Sequence, residues 1–116
     1  MLPDLKTCES AAHDDFEKAV GKFSYFSQGS YYLDGCALAG MDFEIFVLIA
    51  VEKEFPHAVA TYPVDPIVID YGRRLNEAQL ARYRTCLETG LWPGYDEQLN
   101  YVALPPWQMK QAEQAA

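Results

Sequence analysis

Positive charge is scarce in this sequence: 9 Lys and Arg stand against 17 Asp and Glu, for a formal net charge of −8 over 116 residues. A protein that simply coats nucleic acid shows the opposite balance, so the charge argues against that class. A metal-dependent enzyme is not excluded, because metal sites need carboxylates and a local basic groove can sit on an acidic body. Cysteine is nearly as scarce. Cys8, Cys36 and Cys86 are odd in number and too scattered for a zinc knuckle, and they read as reduced thiols of a cytoplasmic protein. A basic segment followed by an apolar run is lacking near Met1, so no signal peptide is expected. The longest apolar run, Ile45 to Val51, is far too short to cross a membrane. Internal repeats and linker-like stretches are missing as well.

What is present fits one domain with one modest core. Half of the residues are apolar and 14% are aromatic, which predicts a folded chain. The expected domain is α/β and spans residues 1–116.

The stretch Pro3-Asp4-Leu5-Lys6-Thr7 reads as the tail of a strand. With only Met1 and Leu2 before it, the expectation is a chain that begins inside a larger fold. Side chains two apart leave the same face of a strand, so Asp4 and Lys6 are expected together on a solvent-facing side. Leu5 then points the other way, into a core. A carboxylate on that face can hold a hard divalent cation. An ammonium beside it can steady a developing phosphorane charge.

Ser10 is the expected N-cap of a first helix, with Asp14 and Asp15 in its first turn. Ala12, Phe16, Ala19, Val20 and Phe23 recur on one face, and His13 is expected in solvent. A second helix is predicted over Ser24 to Ala39, with Tyr25, Gln28, Gly29, Tyr32, Cys36 and Ala39 on one stripe and Gly40 ending it. Gln28 and Tyr32 are four apart and therefore neighbours. Phe43 to Glu52 is almost continuously apolar, which predicts a central strand buried on both faces. His57 to Tyr62 follows as an antiparallel strand, stopped by Pro63 and Pro66. A long helix is predicted from Ile67 to Thr89, with Tyr71, Leu75, Ala78, Leu80, Tyr83 and Leu87 on its buried side and Gly90 at its end. Trp92-Pro93-Gly94-Tyr95 reads as a turn. Leu104-Pro105-Pro106-Trp107 leads into a short polar tail from Gln108 to Ala116, expected to fray.

Three features thus stand in order: Asp4-Leu5-Lys6-Thr7 on a strand, Gln28-x-x-x-Tyr32 followed by Asp34-Gly35 on a helix, and a strand–strand–helix run closing with Leu91-Trp92-Pro93 and Leu104-Pro105-Pro106-Trp107. In this the chain resembles the C-terminal part of the exodeoxyribonuclease VIII family, within the PD-(D/E)xK nuclease superfamily. The resemblance runs from Asp4 to Trp107. It implies a restriction-endonuclease-like mixed sheet with helices on both faces, and an exonuclease that degrades double-stranded DNA from its ends with Mg²⁺ or Mn²⁺. By it, Asp4 is a metal ligand, the Leu5 carbonyl a second one, and Lys6 the catalytic lysine. Gln28 orients groups in the site or on the DNA backbone, and Tyr32 packs or bonds beside it. Lys18, Lys22, Arg73 and Arg74 are the basic side chains available to phosphates. The implied partners are double-stranded DNA ends, further copies of the chain, and a single-strand annealing protein. The family's upstream ligands, an Asp in a preceding hairpin strand and a His or acidic residue on a helix, have no counterpart before Asp4. The competing expectation is a non-catalytic α/β module used for binding or assembly.

Overall fold

A computed structural model describes residues 1–95 and 98–115. The chain runs β1 (Leu2–Cys8), α1 (His13–Lys22), α2 (Tyr25–Leu38), β2 (Phe46–Glu52), β3 (Val59–Pro63), α3 (Pro66–Thr89) and α4 (Pro106–Ala115). The strands form one mixed sheet in the order β1-β2-β3, with β1 parallel and β3 antiparallel to β2. This is the expected α/β architecture, a mixed sheet flanked by helices.

The apolar run forms the central strand because it can satisfy two neighbours and bury its side chains at once. Phe46, Val47 and Leu48 are 1%, 4% and 0% exposed. Strand alternation places Phe46, Leu48 and Ala50 on one face, where they pack with Ala11, Phe16 and Ile69. Phe16 stacks on Tyr62 at 5.3 Å, and the Tyr62 hydroxyl donates to the Ala11 carbonyl at 2.6 Å.

The opposite face departs from expectation. Helices were expected on both sides, yet among the described residues the core cluster lies on the side of Phe46, Leu48 and Ala50, with Val47 buried on the other. On the other side Leu5 and Val59 are 65% and 62% exposed. Leu5 therefore does not enter a core, and it is Asp4 and Lys6 that lie under the helices. Period-two alternation says which residues share a face but not which face the helices cover.

Helix boundaries follow local chemistry. α1 starts later than expected: Ala12 holds the N-cap position, while the Ser10 hydroxyl accepts only a 3.3 Å bond from the Ala12 N–H. Ala12 and Phe23, expected on the buried stripe, are exposed. α3 begins with Asp65 capping the Ile67 N–H at 2.8 Å and Pro66 in the first turn, and it ends at Gly90 with φ 71°. Its buried side is not the predicted one. Ile69, Gly72 and Cys86 are buried, whereas Tyr71, Leu80, Tyr83 and Leu87 are each more than half exposed. The reason is how closely α2 approaches. A Cβ on Gly72 would sit 2.5 Å from the Phe26 carbonyl oxygen, so only glycine admits this contact. Asn76 completes the seam by donating to the Ser27 carbonyl and to the Ser30 hydroxyl, both at 2.9 Å. α2 has 14 residues and α3 has 24, so the distal part of α3 overhangs its partner.

The C-terminal stretch is helical rather than frayed, since Pro106 is well placed to open α4. Ala116 lies outside the described residues. The three cysteines are free, as expected. No described helix is long and apolar enough to cross a membrane.

Candidate active site

The site is built on β1 and on one face of α2. Alternation along β1 sends Leu2, Asp4, Lys6 and Cys8 to the helix side of the sheet. Asp4 pairs in register with Leu48 and Lys6 with Ala50, both 0% exposed, so the two polar side chains rise from a packed floor. Their own exposure is 23% for Asp4 and 16% for Lys6. They are partly buried in mid-strand, not solvent-facing at a strand end as the sequence suggested. Burial of this degree demands partners for both charges.

Lys6 has three. Its ammonium lies 2.8 Å from Asp4 Oδ2, donates to Gln28 Oε1 at 2.6 Å, and sits 4.5 Å from the centroid of the Tyr25 ring. Gln28 in turn donates from Nε2 to the Tyr32 hydroxyl at 2.9 Å. Gln28 and Tyr32 meet because residues four apart on a helix are neighbours. Tyr25 is one turn before Gln28 on the same face, which is how its ring reaches Lys6. The result is a continuous line, Asp4–Lys6–Gln28–Tyr32, joining the strand to the helix. All four side chains singled out in the sequence are brought together. Tyr25 was placed on the same stripe by its spacing, but its contact with the lysine was not foreseen.

Two features leave this line open to a further ligand. Asp4 Oδ2 is buried and, although the Lys6 ammonium lies 2.8 Å away, it accepts no hydrogen bond. The second concerns Leu5. Leu2 donates its N–H to Ile45 on the β2 side at 2.7 Å, and the Cys8 carbonyl accepts from Lys53 on the same side at 3.0 Å. Backbone groups alternate along a strand, so the Leu5 carbonyl faces the free edge of β1. Pro3 fits the same geometry, because its missing N–H would have pointed to that edge.

As donors for a hard dication, Asp4 and the Leu5 carbonyl are not enough. Mg²⁺ asks for near-octahedral oxygen coordination. Among the described residues no three of His, Cys, Asp or Glu gather closely enough to hold a metal ion. These residues therefore do not form a self-sufficient metal site.

The other basic side chains are spoken for to different degrees. Arg73, expected to be available to phosphates, is clamped instead. Its Nε donates to Asp34 Oδ2 at 3.0 Å and its Nη2 to Asp34 Oδ1 at 2.8 Å, while Nη1 donates to Asp70. The Asp34 hydrogen bonds raise its pKa further above the ordinary guanidinium value. Lys18 faces Asp15 at 3.8 Å, and Lys22 lies over the Phe23 ring at 5.3 Å. Arg74 is exposed, and so is His13, as expected.

Among curated proteins none matches this chain. Residues 1–105 match the model of a family described as a PDDEXK-like domain of unknown function (DUF3799). That match covers Asp4, Lys6, Gln28 and Tyr32 and places the domain in the PD-(D/E)xK superfamily, which is nuclease-type and generally uses divalent metals. With its strand-borne Asp-x-Lys tied to a helical Gln-x-x-x-Tyr, the chain belongs to the DUF3799 family of PDDEXK-like domains.

Proposed function

We propose that this domain contributes part of the site of an exonuclease that hydrolyses phosphodiester bonds at double-stranded DNA ends, in the manner of the exodeoxyribonuclease VIII family and in the cytoplasm. The observation that carries the reading is the Lys6 ammonium held between Asp4, Gln28 and the Tyr25 ring. A positive charge fixed before the reaction stabilises negative charge developing on the phosphoryl oxygens, and needs no reorganisation to do so. Gln28 fixes where Lys6 points, and Tyr32 fixes Gln28. Asp4 and the Leu5 carbonyl are the chain's contribution to a Mg²⁺ or Mn²⁺ ion. The remaining donors come from outside this cluster.

Self-association belongs to the same reading. The chain exposes 9503 Å² of surface. A compact monomer of 13.1 kDa exposes roughly 6,400 Å². Leu5 and Val59 on the open sheet face, with Leu80, Tyr83 and Leu87 on the overhang of α3, make up part of the excess. Light scattering is expected to return a multiple of 13.1 kDa. A clean monomer would refute this part. A single-strand annealing protein is a second proposed partner.

The incomplete donor set favours one other reading, a non-catalytic module kept for binding or assembly. End-labelled duplex and closed circular DNA separate the two. Residues 1–116 in Mg²⁺ or Mn²⁺ are expected to bind ends without measurable hydrolysis, because one carboxylate holds the ion weakly. Binding indifferent to ends, or none, would favour the module. Hydrolysis that vanishes in Lys6→Ala would show that the chain completes its donor set after all. Hydrolysis that persists in Lys6→Ala would remove the lysine from the chemistry.

A further inference from the structure

Beside the Asp4–Lys6–Gln28–Tyr32 line lies an open cavity of about 420 Å³ that shares Asp4 and Tyr32 with it and extends beyond them. Its walls include Leu2, Asp4, Tyr31, Tyr32, Cys36 and Met41. Asp4 is the one charged side chain among the lining residues, and Lys6 balances it at 2.8 Å, so the rest of the wall offers a phosphate no cation. Tyr31, Tyr32 and Met41 are 60%, 44% and 50% exposed, and thus within reach of a ligand. Aromatic faces and a polarisable thioether suit a flat, uncharged π system.

We propose that this cavity seats the unpaired base of the terminal nucleotide at a DNA end. The proposal rests on the nuclease reading and adds to it how the end is held. Continuity with the site carries it: the Tyr32 hydroxyl accepts from Gln28, whose carbonyl oxygen accepts from Lys6. A base seated against the tyrosines leaves its own phosphodiester to the lysine, which contacts the wall residue Asp4 and is linked to Tyr32 through Gln28. Base and phosphate thereby go to different chemistry, the base to an apolar wall and the phosphate to the ammonium. Stacking of this kind tolerates any base, since every base has a π face, and a nuclease that consumes a strand end needs such tolerance.

The test uses residues 1–116 at low salt with two duplexes that differ in one unpaired terminal nucleotide. One carries 2-aminopurine there and the other an abasic sugar. Wild type is expected to quench 2-aminopurine fluorescence on binding and to prefer the base-bearing end by about 5- to 150-fold, the range for one stacked base. Tyr31→Ala is expected to lose most of that preference and Tyr31→Phe to keep it, as ring stacking requires. The exposure of Tyr31 makes both variants compatible with folding, which circular dichroism checks. Equal affinity for the two ends would overturn this inference while leaving end binding intact. A preference that survives Tyr31→Ala would overturn the assignment to this cavity. Failure to bind either duplex would overturn the nuclease reading and this inference with it.

Discussion

Lys6→Ala is expected to abolish cleavage in any assembly of this domain that degrades DNA, while leaving DNA affinity within a few-fold of wild type. The lysine makes three contacts inside the protein, to Asp4, Gln28 and the Tyr25 ring, and these fix its ammonium before substrate arrives. A charge so placed acts most strongly where negative charge grows, which is in the transition state rather than the bound complex. Removing one preorganised donor of this type lowers turnover by about 10² to 10³. Here the loss is expected at the upper end, because Gln28 and Tyr25 also lose the partner that they hold in place. Single-turnover cleavage of end-labelled duplex, read beside fluorescence anisotropy for binding, separates the two effects. Equal losses in cleavage and binding would recast Lys6 as a phosphate anchor.

The second large effect is on stability. Leu48 is 0% exposed, and in register it lies between Asp4 on one neighbouring strand and Tyr62 on the other. Truncation to alanine removes its transfer free energy and leaves a cavity that the central strand cannot collapse, for a loss of about 2–5 kcal/mol. That is a large share of the ~5–15 kcal/mol by which domains are stable. Because Leu48 forms the floor beside Asp4, the damage is expected to reach the site as well. Urea denaturation should move to a lower midpoint with an unchanged slope. An unchanged midpoint would mean that β2 is not the core strand.

Much of this was legible in the sequence, and the failures share a cause. The Phe46–Glu52 strand, the antiparallel β3 and the long α3 follow from composition, proline placement and caps, which act locally. The meeting of Lys6 with Gln28 followed from alternation on a strand and four-residue spacing on a helix, once the resemblance had paired the two motifs. What local rules could not provide was the covered side of an element. Alternation with an apolar residue between two charges points Leu5 inward and Asp4 outward, and the helices cover the reverse side. The spacing of α3 predicts a buried stripe of large side chains, whereas its contact with α2 runs through Gly72 and Asn76, where close approach outweighs apolar area. Arg73 is instructive on the same point. Its pairing with Asp70 at i,i+3 was readable from spacing, but its pairing with Asp34 on another helix was not. The Lys6–Tyr25 contact did carry a signal, since Tyr25 shares the helical face of Gln28.

The account stands on Asp4 and Lys6 marking one half of a nuclease site, and a titration of isotope-labelled protein with Mn²⁺ tests this most directly. A bound paramagnetic ion broadens the resonances nearest to it, whether or not turnover occurs. Broadening is expected first at Asp4, Leu5, Lys6 and the Gln28 side chain, at low affinity, and it is expected to vanish in Asp4→Asn. Broadening centred instead on the acids around Arg73, namely Asp34 and Asp70, with Asp4 untouched, would contradict the assignment.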